Sequence, residues 1–424
     1  MTAPVDTRLA SRRAIEALRS GVPSRDAVAA LGSGQREVED RFDALLNGLS
    51  VVGTGRRPQS SVLLLGGGFG SGKSHVLEHL ATVALEAGFV TSKVVISKET
   101  PLHDPVKVFR AAAESAVSQG ATGAPLREAA AGLDVETPAY AELMRWAASP
   151  AGGLNERFAA TLTLFRRAQS GDGEFADRIV RFWSGDPLPV PELRRRLRDA
   201  GEGRPALPAV PARELAAQRF RFAARLFATA GYAGWVVLFD EVELIGRYSL
   251  LQRGRSYAEL ARWKGNDRVD RDAPLAAVLA MTDDFEAAVL SSKNDRQQVP
   301  TKLRAKETPE ADELAGLAEA GMRLIERDMV LLAPPDRAML DCAYRDVKAL
   351  HAEAFGWDPP DVPGLERLGA TRMRQYIRAW VNEWDLVRLD PTFTPRTETV
   401  EIATDYREDA ELDGEVDPGS GAWE

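Results

Sequence analysis

Leu63-Leu64-Leu65-Gly66-Gly67-Gly68-Phe69-Gly70-Ser71-Gly72-Lys73-Ser74 runs from a short apolar strand pattern into a glycine-rich turn, and a helical pattern follows. From Gly67 the order is glycine, four residues, then Gly72, Lys73 and Ser74, the spacing of a phosphate-binding loop. Glycines permit backbone angles that curl successive N–H groups around phosphate oxygens. The helix beginning here directs its positive end at the same anion. Lys73 adds a point charge for the β- and γ-phosphates, and Ser74 offers a hydroxyl to magnesium. Gly67, Gly68, Phe69, Gly70, Ser71, Gly72, Lys73, Ser74 and His75 are therefore the expected nucleotide contacts.

A second stretch completes the pattern. Trp235-Val236-Val237-Leu238-Phe239 precedes Asp240-Glu241. A buried strand places Asp240 at its C-terminal end, where ligands bind in open α/β sheets. Asp240 is suited to hold magnesium through water, and Glu241 to orient or deprotonate an attacking water. Leu275 to Met281 reads as another buried strand, ending at Thr282. That hydroxyl either touches the γ-phosphate or its water, or caps a helix from Asp283.

The rest of the chain is organised around these strands. Residues 8–31 read as two short helices, and Gln35–Leu49 as a third with one apolar face. Gly53–Ser60 is a polar connector. Val62–Leu65 and Val90–Ile96 read as strands around a helix from about Lys73, and another helix begins near Asp104-Pro105. From 120 to 230 the alternation gives way to helices without strands. Residues 293–310 read as a flexible polar loop. Ala311–Glu326 reads as helical, Met329–Leu332 as a fifth strand, and Asp336–Phe355 and Arg372–Leu386 as helices. The expected fold is α/β: a P-loop NTPase parallel sheet with a helical insertion and a helical C-terminal lid. Its expected divisions are a helical segment (1–52), two core parts (53–119 and 231–333), the insertion (120–230), the lid (334–395) and an acidic, disordered tail (396–424).

Composition narrows the class. Apolar residues make up 44% of the 424 and charged residues 28%, as in globular proteins. No apolar run approaches the ~20 residues that span a bilayer. Cys342 is the single cysteine, so no intramolecular disulfide forms and a cytoplasmic location is expected. It lies in a helical pattern and reads as core. The net charge of −9 is concentrated from Arg396 onward, which has ten acidic and two basic residues. The body is nearly neutral and remains free to meet nucleic acid. Leu193-Arg194-Arg195-Arg196-Leu197-Arg198 could meet phosphates, although a solvated helix face explains it as well.

The order of these features resembles the AAA+ and related P-loop ATPases. In that likeness Thr282 stands at the sensor 1 position, and Arg372 or Arg374 near sensor 2, where a lid arginine reads the γ-phosphate. Gln35-Arg36-Glu37 is similar to the short motif before the core in origin-recognition-type members. Arg327 matches the trans-acting arginine by order, with Arg247, Arg253 and Arg255 as competitors. A closer resemblance is to the BREX-system ATP-binding protein family. It is carried by Arg12 to Pro23, by Ser92-Lys93-Val94-Val95-Ile96-Ser97-Lys98-Glu99-Thr100-Pro101-Leu102, and by Asp240 to Ser249. The resemblance implies ATP as the nucleotide, a role in bacterial anti-phage defence, and a helicase or other defence protein as partner. DNA and further copies of the chain are additional candidate partners.

Two functions follow as expectations. One is a magnesium-dependent ATPase that assembles or remodels a DNA-associated complex. The other is a nucleotide-gated DNA-binding adaptor that loads a helicase with little turnover. A small-molecule kinase is disfavoured, because Glu241 beside Asp240 points to water as the acceptor.

Overall fold

The computed structural model describes residues 7–50, 61–120, 124–169, 171–203, 206–265, 273–362, 373–393 and 406. The Gly53–Ser60 connector, Arg372 and all of the acidic tail except Tyr406 lie outside the described residues.

Five parallel strands form the centre: β1 (Val62–Gly66), β2 (Val90–Val95), β3 (Trp235–Asp240), β4 (Leu275–Met281) and β5 (Met329–Leu331), in the spatial order β2-β3-β4-β1-β5. Strand β4 thus lies between the loop-bearing β1 and the Asp240-bearing β3. In register, Gly66 faces Met281, and Val95 faces Asp240. All the relevant strand ends therefore reach one edge of the sheet.

The apolar runs of β1, β3 and β4 are continuous because both faces of the sheet are covered. Successive residues still serve opposite layers. Leu63, Leu65, Val236, Leu238, Val278 and Ala280 pack with α3 (Arg36–Ser50) and α4 (Lys73–Glu86). Val62, Leu64, Val237, Phe239, Leu279 and Met281 enter the second, larger core. There they meet α5 (Pro105–Glu114) and the helices that follow it: α6 (Pro125–Ala131), α7 (Pro138–Ala148), α8 (Glu156–Ala168), α9 (Gly173–Trp183), α10 (Val190–Asp199) and α11 (Ala212–Thr229). As expected, the described residues between 120 and 230 form helices without a strand. Edge-to-face aromatic contacts join them to the sheet, Phe109 lying 4.9 Å from Phe220 and 6.1 Å from Trp235. Arg196, in the basic cluster, pairs with Asp172 at 2.7 Å and covers the Phe175 ring.

The N-terminal helices α1 (Thr7–Ser20) and α2 (Arg25–Leu31) lie outside the two apolar cores of the sheet, although α2 also packs against α4. They share an apolar cluster with α15 (Arg337–Phe355) and α16 (Met373–Leu389), built on Ile15, Leu18, Val347, Ile377, Trp380 and Trp384. Arg19 reaches Asp385 at 2.6 Å, and Arg12 donates to the Ala354 carbonyl at 2.8 Å. The first and last helices of the described chain thus form one layer over the strand ends.

Two expectations are corrected. Residues 293–310 are not a flexible loop: Asp295–Arg304 is a helix, α13, and it packs against α12 (Leu250–Trp263) and α14 (Pro309–Arg327). Its apolar face is short, Val299 and Leu303, and Pro300 within it mimics a helix breaker. Cys342 is not core but exposed, its thiol donating to Asp346 at 3.4 Å. Val347 and Ala354 carry the buried face of α15 instead.

Candidate functional site

The turn after β1 has the conformation its glycines allow. Gly70 and Gly72 have φ of 79° and 103°, and a Cβ on Gly67 would lie 2.5 Å from the Ser71 hydroxyl. Helix α4 starts at Lys73 without a side-chain cap. Its first amides have no intrahelical acceptor and so suit an anion. The Ser71 hydroxyl is buried without a hydrogen-bond partner. The Lys73 ammonium is buried and donates to the Gly67 carbonyl at 2.8 Å and more weakly to Gly68 at 3.4 Å.

Across the turn, β3 delivers its carboxylates. The Glu241 amide donates to Asp240 at 2.9 Å. Glu241 has φ 59°, an uncommon backbone for a residue with a side chain, and one that recurs at functional sites. Desolvation raises its carboxyl above the ordinary range and Asp240 adds to this, while Lys73 and Arg374 oppose. A tight turn over Val242–Arg247 follows and brings Glu243 back toward the loop. Glu243 is buried 3.8 Å from the Lys73 ammonium, and burial raises its carboxyl to about 7.

These residues line one cavity of about 530 Å³. Its polar end holds Phe69 to Ser74, His75, Asp240, Glu241 and Glu243. Its apolar end is made by the helical layer, including Val22, Leu31, Met339 and Ile377. His75 is bound at Nε2 to the Gly32 carbonyl at 2.7 Å, so it ties α4 to the segment between α2 and α3. Gln35, in the same segment, donates to the Ala333 carbonyl at 3.1 Å and accepts from the Ala333 amide at 2.8 Å. Arg374 reaches the cavity from α16 and donates to the Gly21 carbonyl. Gly21 has φ 72°, and a Cβ there would meet the Arg374 guanidinium at 2.6 Å.

The remaining candidates are placed as follows. Thr282 is buried at the end of β4 and does not line the cavity. Its hydroxyl bonds Tyr406, whose own hydroxyl donates to Asp284 at 2.7 Å, so it does not cap a helix. The next residue, Asp283, does approach the loop: a Cβ on Gly68 would lie 3.9 Å from its carboxylate. Arg327 is exposed at the end of α14. It precedes Met329, which pairs with Leu64, so it lies toward the start of β1, away from this chain's own loop. Arg253 is buried, bound by both nitrogens of its fork to Asp295, and is not available to a neighbour. Arg372 lies outside the described residues.

Sequence reasoning missed Glu243, the apolar wall and Tyr406. Glu243 stands three residues after Asp240, and turn periodicity is the signal that could have found it. The wall comes from helices remote in sequence, and no local pattern marks it. Among the described residues no group of three or more His, Cys, Asp or Glu side chains is arranged to hold a metal by itself, and no helix is long and apolar enough to cross a membrane.

Residues 7–128 match the model of a family described as BREX system ATP-binding protein BrxC/D. The match bears out the resemblance seen at Arg12–Pro23 and Ser92–Leu102; Asp240–Ser249 lies beyond it. Neither the curated proteins nor the solved structures contain a match to the chain.

Proposed function

We propose that this chain is a P-loop ATPase of a bacterial phage-defence system, which couples ATP binding and hydrolysis to assembly or remodelling of a partner complex on DNA. The observation that carries the reading is the single cavity that joins the Gly67–Ser74 turn, Asp240 and Glu241 to an apolar wall. Its volume is within the range of small-molecule sites. Phosphates suit the end with free amides and Lys73, and a flat apolar base suits the end with Met339 and Ile377. The likeness to an ATP-binding family supports adenine as that base.

The Ser74 hydroxyl and the Asp240 carboxylate are hard oxygen donors in one cavity wall, and fit magnesium, which takes few protein ligands beside substrate phosphates and water. When bound, that ion neutralises charge on the phosphates. Lys73 and the helix start stabilise the same charge, and Arg374 is the lid arginine placed to join them. Glu241 is the base that orients water, its raised affinity for protons suiting that task. A ring-type neighbour would receive Arg327 rather than Arg253.

Phosphate release by the wild type, Lys73→Ala and Glu241→Gln tests the reading. Loss of turnover in both variants, with nucleotide still bound by Glu241→Gln, is expected. Full turnover in Glu241→Gln would remove its assigned role.

A further inference from the structure

We propose that Glu243 is the counter-ion of Lys73 and competes with nucleotide phosphates for it, so that this carboxylate sets how tightly nucleotide is held. The inference rests on the nucleotide reading above.

Three observations carry it. First, Glu243 is 8% exposed, and its Oε1 lies 3.8 Å from the Lys73 ammonium, with which it forms an ion pair. Second, its Oε2 is buried with no hydrogen-bond partner, so the turn leaves this oxygen unsatisfied. Third, Glu243, Lys73, Ser74, Asp240 and Glu241 all line the one cavity. A buried carboxylate with one weak ion pair is costly unless its position serves something.

The turn that carries Glu243 holds it in place. Val242 and Ile245 on either side are fully buried. Gly246 leaves no room for a Cβ, which would meet Val289 and Tyr406 at 2.9 Å. Tyr248, just beyond, donates to the Ser97 carbonyl at 3.2 Å, and its own carbonyl accepts from Arg253 at 2.6 Å. Glu243 therefore stays beside the loop while Lys73, on a flexible stem, is the partner able to move. The ammonium has two sets of acceptors within reach: the Gly67 carbonyl with Glu243, and the phosphates of a nucleotide. Moving toward phosphate leaves Glu243 with less compensation in a water-poor site. That opposing pull weakens binding and speeds release. Burial favours the protonated Glu243 carboxyl, which makes no ion pair with the lysine, so the competition belongs to the ionised form. Glu241 has a different task, since its carboxyl acts on water and not on the lysine.

Equilibrium binding and release of a fluorescent ADP analogue, with magnesium, test this in four proteins: wild type, Glu243→Gln, Lys73→Met and the double variant. Glu243→Gln is expected to bind about tenfold tighter and release more slowly, as a coupled neighbouring pair allows. In the Lys73→Met background the same change is expected to have no effect. Unchanged or weaker binding by Glu243→Gln would overturn the inference. So would an equal gain in the Lys73→Met background, which would mark simple removal of charge from the cavity. Failure of the wild type to bind would instead reject the nucleotide reading itself. Glu243→Asp, which keeps the charge but withdraws it by one methylene, covers the case in which Glu243→Gln does not fold. It should show a smaller gain in the same direction, and a loss of affinity would count against the proposal.

Discussion

Arg253 of α12 donates to both carboxylate oxygens of Asp295 at the start of α13, at 2.8 and 2.9 Å, with both side chains out of water. Tyr257 donates to the same carboxylate at 2.6 Å. The pair is a fastening between helices, and its geometry removes Arg253 from the arginines that could serve a neighbouring molecule. Asp295→Ala leaves a buried guanidinium without its bidentate carboxylate. A loss of about 3–5 kcal/mol is expected from breaking such a pair. Chemical denaturation of wild type and variant measures it. A change below about 1 kcal/mol would show that water or another group replaces the carboxylate.

Glu241 combines a functional carboxylate with a left-handed backbone. Only glycine adopts that backbone without steric cost. Glu241→Gly should therefore be more stable than the wild type, by up to about 1 kcal/mol, while phosphate release is abolished. The two effects are separable by measuring the unfolding midpoint and turnover on the same preparations. A variant that loses both stability and turnover would mean that the Glu241 side chain also supports the turn.

Glu243 makes stability depend on pH with a defined sign. Its carboxyl holds a proton more firmly in the folded chain than its ordinary value of 4.5, up to about 7. The folded state thus binds more protons than the unfolded state between these values. The contribution is complete below about 4.5 and is lost as pH rises through about 7. Depressed carboxylates such as Asp385 act in the opposite sense. Comparison with Glu243→Gln cancels them. The thermal midpoint of the wild type, relative to the Gln variant, should fall across that window. A difference independent of pH would show that Glu243 is ionised throughout.

Much of the fold was legible because its elements carry strong local patterns. Val62–Gly66, Trp235–Asp240 and Leu275–Met281 are apolar on both faces and end in, or run directly into, glycine or polar residues, as buried parallel strands do. The turn at Gly67–Ser74 needs its glycines, so its residues announce its shape. Helix α13 was missed because only Val299 and Leu303 mark its apolar face, and Asp295 at its start is polar yet fully buried. Cys342 was misread because helical periodicity gives a face without saying which side meets a cavity. The apolar wall of the site was invisible for a different reason. Gly21, Leu31, Met339 and Ile377 meet only when both ends of the described chain pack together, and that is a tertiary event. Tyr406 is the extreme case: a tyrosine in an acidic stretch, whose partner Thr282 is set by the fold alone.

The strand order has a consequence for synthesis of the chain. Strand β1 carries the phosphate turn, yet its two neighbours in the sheet are β4 and β5. Both emerge from the ribosome long after it. Until then Val62–Leu65 is an apolar strand with open edges, and the Gly67–Ser74 turn has no Asp240 opposite it. Such late, long-range pairing is slow and leaves sticky intermediates. Helix α3, which packs its Phe42 and Leu46 in the same core as Leu63 and Leu65, is already made by that time. It is placed to shield the nascent strand until β4 arrives.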